Sequence, residues 1–311
     1  MDYTTLGRTG LKVSIAGLGC GGPSRLGQRG GGTEKQSIDL IHKAIDLGIN
    51  IFDTAHVYGT EETLGKALAT VPRDSVIVST KYTAENVSAD EIVIKLDDAL
   101  RKLGTDYIDI YHLHGVQPEH YEHARDDLAP VLLRERDRGK IRFLGITEAM
   151  HTDHDQIVPN RAVNDDCWDV MMILYNMMHQ GARKGVLSRA AENKIGTLIM
   201  SAARSMFSNP DLLNKTIKEL SGEGRVPATL AETDNPLGFL VHDKGADSVI
   251  DAAYRFARHE PGANVILFGT GNPAHMEANI ASLHKPPLPQ ADLDQLSDLF
   301  GHLRDVGMRE N

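Results

Sequence analysis

The sequence predicts an α/β fold of the (β/α)8 TIM-barrel type, carrying an N-terminal β-hairpin and a C-terminal helix. Three observations predict it. Short apolar runs alternate with longer helical patterns along most of the 311 residues. Eight such runs are present, and repeated β–α units with buried strands imply a parallel sheet that closes at eight. The two ends of the chain depart from the pattern, each in its own way. Residues 1–311 are therefore read as one domain, a length at which a single barrel buries a sizeable core.

The opening stretch Tyr3–Ser14 does not fit a barrel strand. Two alternating segments flank Gly7-Arg8-Thr9-Gly10, which suits a hairpin with a glycine turn, placed to plug the bottom of the barrel. The first barrel strand is Ala16–Gly22. A helical stretch follows at Thr33–Leu47, where Ile38, Ile41, Ala44 and Ile45 share a face. The next strands are Gly48–Ala55 and Ser75–Lys81, then, after a helix at Ala89–Leu103, Tyr107–His114. Four more strands are expected at Lys140–Thr147, Asp169–Asn176, Gly196–Ala202 and Asn264–Thr270. The interval Ser205–Lys244 is rich in turn formers and reads as a functional loop. An amphipathic helix at Gln290–Val306, with Leu293, Leu296 and Leu299 at helical spacing, closes the chain.

Composition narrows the function. Net charge is −10, so no basic field is available for a nucleic-acid backbone or an acidic membrane, and no nucleic-acid or membrane partner is expected. No run approaches the roughly 20 apolar residues of a membrane span. Two cysteines, Cys20 and Cys167, are too few for a disulfide framework. With no apolar leader after Met1, a cytoplasmic location is expected.

Barrel enzymes work at the C-terminal ends of their strands. There the sequence places Asp53 with Tyr58 five residues on, Lys81, and His114. Singly these are common as caps, solvated cations, packing rings and satisfied polar groups; together, on three consecutive strand ends, they point to chemistry. His112 points to the same side as His114 but one layer deeper, and a structural role is expected for it.

The spelling around these residues, NIFDTAHVYGTEETLGKAL, VIVSTKY and LGTDYIDIYHLHG, resembles the motifs of the aldo-keto reductase superfamily. GKIRFLGIT, YN and FGTGNPAHMEANI match further family segments, so the resemblance runs from about Thr5 to about Leu299. It implies an oxidoreductase that transfers a hydride between NAD(P)H and an aldehyde, ketone or sugar. Tyr58 would be the general acid/base, Lys81 would supply a cation beside its phenol, Asp53 would hold the lysine, and His114 would orient the carbonyl. The cofactor residues implied are Gly21, Gly22, Asp53, Thr147, Glu148, Asn176, Ser201, Arg204, Gly269, Thr270, Gly271, Asn272, His275 and Asn279; no metal is implied.

Departures accompany the match. Glu148 stands where the family usually has asparagine, Met172 where glutamine is common, and Met200 where an aromatic ring often stacks. Gly271 and Asn272 carry no charge, and His275 replaces a common arginine, so the usual grip on a 2′-phosphate is missing unless Arg204 compensates. NADP(H) is narrowly preferred over NAD(H). The glycines of AGLGCGG lack the helix spacing of a Rossmann fingerprint. Two other functions fit the barrel: a Schiff-base lyase using Lys81, which would need that lysine without Asp53 and Tyr58 as fixed partners, and a slow, nicotinamide-binding regulatory protein of the channel β-subunit type. The substrate and the oligomeric state are left open.

Overall fold

The computed structural model describes residues 1–306. Its first two strands, β1 (Tyr3–Thr5) and β2 (Lys12–Ser14), pair antiparallel, with Gly7–Thr9 turning between them. This is the expected hairpin. The Arg8 guanidinium at its tip donates to the carbonyls of Asp166 (2.6 Å) and Trp168 (2.8 Å) and meets Asp169 at 3.3 Å. Leu6, Leu11 and Val13 of the hairpin are buried against Ile51, Ile77, Ile110, Val170, Leu198 and Val265, so the hairpin plugs the barrel floor.

Eight parallel strands follow: β3 (Ala16–Gly19), β4 (Ile51–Asp53), β5 (Ile77–Thr83), β6 (Ile108–Val116), β7 (Ile141–Glu148), β8 (Val170–Leu174), β9 (Gly196–Met200) and β10 (Val265–Phe268). They pair in chain order, and β10 pairs with both β9 and β3, closing the barrel. Each coincides with one of the eight apolar runs. Two extend two residues further than expected and β7 one: the β5–β6 ladder continues through Lys81↔His112 and Tyr82↔Leu113 to Thr83↔His114. Lys81 and His114 thus lie two residues inside their strands, and the two-residue period still aims them into the barrel.

The surrounding helices begin with α1 (Glu34–Asp46). Thr33 and Gln36 form a capping box at its start, the Thr33 hydroxyl accepting from the Gln36 amide and the Gln36 side chain accepting from the Thr33 amide. Then come α2 (Glu61–Leu68), α3 (Ala89–Leu103), α4 (Ala129–Asp137), α5 (Ile157–Ala162) and α6 (Ser188–Glu192). The interval Ser205–Lys244 is not the loop expected from its turn formers. It folds largely into α7 (Ser205–Ser208), α8 (Pro210–Gly222) and α9 (Ala228–Ala231). Asn209 caps α8 by accepting from the Leu212 amide, Pro210 fits its first turn, and Leu213, Ile217 and Leu220 bury one face. The chain continues through α10 (Val249–Arg258), α11 (Pro273–Leu283) and α12 (Gln290–Phe300). The closing helix stops at Phe300 rather than Val306, because Gly301 begins a turn; Leu303 and Val306 remain buried without helical backbone.

Candidate active site

The sequence places a carboxylate, a lysine and two histidines on inward-facing positions of β4, β5 and β6, and the barrel draws them together. Asp53, at the end of β4, accepts from the Ser79 hydroxyl at 2.7 Å and from the Lys81 ammonium at 2.6 Å. Lys81 also donates to the Thr54 carbonyl at 2.7 Å and is 1% exposed. Burial works against the Lys81 charge, and the attraction of Asp53, with Tyr58 and Cys20, outweighs it, so the ammonium persists. A lysine fixed in this way is not the free amine a Schiff base requires.

Tyr58 ends the short turn His56–Tyr58 beyond β4. Its ring centroid lies 5.1 Å from the Lys81 nitrogen, and its ring meets His114 edge-on at 5.7 Å. Gly21 makes room for it: a Cβ at that position would stand 2.3 Å from the Tyr58 ring. Burial raises the Tyr58 phenol above its ordinary value, Lys81 pulls it down, and Asp53 pushes it up again. The net direction is upward, so the field of Lys81 alone does not make this phenol acidic; it keeps its proton at neutral pH. Burial, and then Lys81, depress His114 to about 3, which leaves a neutral imidazole at the mouth. His112 is fully buried below it and is also held neutral, mainly by burial.

Two cavities meet at this cluster. A groove of about 340 Å³ is lined by Gly21, Gly22, Ser24, Asp53, Tyr58, Ser201, Arg204 and Gly269. A second cavity of about 280 Å³ is lined by Tyr58, His114, Gln117, Thr147, Glu148 and His151. Tyr58, Met150, Met172 and Met200 border both. Thr147 accepts from the Gly115 amide at 2.7 Å, tying β7 to β6. Ser201 holds φ at 62°, uncommon for a serine, and Asn176 donates to its carbonyl at 3.2 Å. Asn176 itself lines neither cavity and acts on the groove through that bond.

Past Gly269, the segment after β10 stands apart from both cavities. Thr270 accepts from the Asn272 amide, Asn272 caps α11 by accepting from Ala274, and Gly271 packs against Gly27. On α11, His275 is exposed and Asn279 half-buried. Gln117, Ser24, Met150 and His151 were not anticipated. Met150 and His151 come one residue after Thr147-Glu148, just past a strand end, which is the available signal. Among the described residues there is no cluster of three or more His, Cys, Asp or Glu able to hold a metal ion. No helix among them is long and apolar enough to cross a membrane.

A closed eight-stranded barrel with a buried Asp–Lys pair, a tyrosine and a histidine at its mouth is the architecture of a barrel oxidoreductase. The profile of the aldo/keto reductase family matches residues 18–300, and the chain belongs to that family. Over 302 residues it is 32% identical to the aldo-keto reductase YhdN of Bacillus subtilis, covering 89% of this chain and 87% of that protein. It is 36% identical to L-galactose dehydrogenase of Arabidopsis thaliana over 157 residues, 47% of this chain and 48% of that protein. The fold resembles that of aldo-keto reductase AKR11C1 from Bacillus halodurans, with a TM-score of 0.73 at 22% identity over 99% of this chain and all of that one. The family uses nicotinamide cofactors to reduce and oxidise small carbonyl compounds and alcohols, and this chain is an oxidoreductase.

Proposed function

We propose that this protein reduces a carbonyl substrate, or oxidises the corresponding alcohol, with Tyr58 as the general acid/base. One observation carries the reading: Tyr58 borders both cavities, with Asp53, ion-paired to buried Lys81, on the groove side and neutral His114 on the other. The groove suits a dinucleotide. Its wall is open at Gly21, Gly22 and Gly269 and carries the Ser201 hydroxyl and the Arg204 guanidinium. Thr147 and Glu148, in the adjoining cavity, would hold the carboxamide end. When bound, the nicotinamide supplies or accepts the hydride.

The remaining work falls to the chain. A carbonyl oxygen gains negative charge as its carbon is reduced, so it needs a proton and a positive field at that moment. Tyr58 gives its proton to that oxygen, and Lys81 stabilises the phenolate left behind. Asp53, bonded to Lys81 and Ser79, fixes the ammonium where that phenolate forms. Neutral His114 donates a hydrogen bond that orients the carbonyl. In the oxidative direction the phenolate takes back the alcohol proton.

We read residues 1–311 as one catalytic unit, working in the cytoplasm with Cys20 and Cys167 reduced. NADP(H) is narrowly favoured over NAD(H), since Arg204 offers a cation in the groove while Gly271 and Asn272 offer none. Oxidation of NADPH and NADH against sugar aldehydes, lactols, keto sugars and aromatic aldehydes tests the function; no turnover of any of these refutes it. Titration of both dinucleotides tests the preference, which should stay below about 100-fold, or roughly 2.7 kcal/mol. A preference above roughly 1,000-fold that survives Arg204→Ala contradicts the phosphate site.

A further inference from the structure

Glu148 is the anomaly of the site. It ends β7, is 4% exposed, and lines the second cavity with Thr147, Met172 and Met200. One carboxyl oxygen accepts from the Leu174 amide of β8, and the other accepts from the Gln156 side chain at 3.1 Å. Gln156 in turn donates to the Leu174 carbonyl at 3.1 Å, so the carboxyl is held in place by neutral donors. Its partners among the described residues include no lysine or arginine. The titratable groups around it are Asp153, before α5, and, around the same cavity, Tyr58, His114 and His151. Asp153 is already engaged, accepting from the Ile157 and Val158 amides, and His114 is neutral. Burial first, and Asp153 after it, push the Glu148 carboxyl up to about 8 against the pull of the Leu174 and Gln156 donors.

A buried acid without a cation ionises when one arrives. The oxidised nicotinamide ring is a cation and the reduced ring is neutral. We propose that Glu148 senses the redox state of the cofactor, keeping its proton in the free protein and beside the reduced ring and releasing it to solvent beside the oxidised ring. This rests on the reading that the nicotinamide end lodges against Thr147 and Glu148. An asparagine at this position has no proton to exchange. Binding of the oxidised form is then linked to pH: affinity rises as pH climbs towards about 8 and levels off above it, where Glu148 is ionised in the free protein too. In the reductive direction, lower pH weakens the hold on the oxidised cofactor and eases its release.

The test compares NADP⁺ with NADPH, and NAD⁺ with NADH, on the whole protein. Affinities are titrated from pH 6 to pH 9, and proton release is counted by calorimetry in buffers of different ionisation enthalpy. Below pH 8, affinity for the oxidised forms should rise by up to roughly tenfold per pH unit. The reduced forms should change less than about twofold over the same range. Any contribution from His275 to a 2′-phosphate acts on both redox forms alike, so the difference within each pair isolates Glu148. Proton release should survive Tyr58→Phe, which excludes the phenol as its source, and vanish in Glu148→Gln. If the glutamine variant does not fold, wild type and Tyr58→Phe still decide. Equal pH dependence of the two redox forms, release that persists in Glu148→Gln, or release lost in Tyr58→Phe overturns the proposal. Failure of every dinucleotide to bind overturns the cofactor reading beneath it instead.

Discussion

The floor and the mouth of this barrel are built from the same strands and the same inward-facing alternation, yet they do opposite things. At the floor, Ile51, Ile77 and Ile110 close on Leu6, Leu11 and Val13 of the hairpin, and no charge is buried among them. Two residues further along β4 and β5, the inward positions become Asp53 and Ser79; beyond Ser79 comes Lys81, and β6 contributes His112 and His114. Apolar surface removed from water stabilises the floor at roughly 25 cal/mol per Å². The mouth instead carries an ion pair taken out of water, whose desolvation offsets much of its attraction. A pair of that kind is weak support for stability, and its placement beside Tyr58 is better explained by chemistry. The floor should therefore tolerate changes that leave the rate intact, while the mouth should not.

Three substitutions put that contrast at risk, in descending order of consequence. Lys81→Met leaves Asp53 buried without its cation. It should cost about 3–5 kcal/mol of stability, measured by denaturant unfolding, and abolish turnover as well. Lys81→Met that unfolds at the wild-type midpoint would show that the pair is dispensable. Leu6→Ala opens a cavity in the floor and should cost about 2–5 kcal/mol while leaving turnover per folded molecule within about twofold. A large rate loss there would mean that floor and mouth are coupled.

The third change concerns pH. Glu148 holds its proton in the folded protein up to about pH 8, whereas in the unfolded chain it loses it near the ordinary carboxylate value. The folded state therefore carries an extra proton between those limits, and this group's contribution to stability declines as pH rises from about 4.5 to about 8. Glu148→Gln removes the decline. Relative to wild type it should gain about 2–4 kcal/mol between pH 5 and pH 8, read from melting temperatures across that range. Parallel curves for the two proteins would place the ionisation elsewhere.

Much of the barrel was legible because its strands are buried on both faces and spell continuous apolar runs. The α3 helix falls on the expected residues, Ala89–Leu103, since Ser88 caps its start by accepting from the Glu91 amide. The α8 helix is masked in the sequence although Asn209-Pro210 is a start signal, because turn formers crowd the residues that follow Gly222. At the site, a two-residue period sufficed to aim Asp53, Lys81 and His114 at one point. It says nothing about loops. Met150 reaches across the mouth to accept from the Ser201 hydroxyl at 3.9 Å, a contact between residues 51 apart that no local pattern encodes. Asn272 is the opposite case: its side chain caps α11 by accepting from the Ala274 amide, a local Asn-Pro start signal of the kind seen at Asn209-Pro210.

If the mouth exists to move a proton, that proton passes through Tyr58, and Tyr58→Phe is the decisive variant. The substitution removes one hydroxyl and keeps the ring against Gly21 and His114. Steady-state turnover on a good carbonyl substrate should fall by about 10²–10⁴-fold, while the dissociation constant for the reduced cofactor changes less than about threefold, or roughly 0.7 kcal/mol. A variant that keeps more than a few per cent of the wild-type rate, with cofactor binding intact, would contradict the assignment of Tyr58 as the acid.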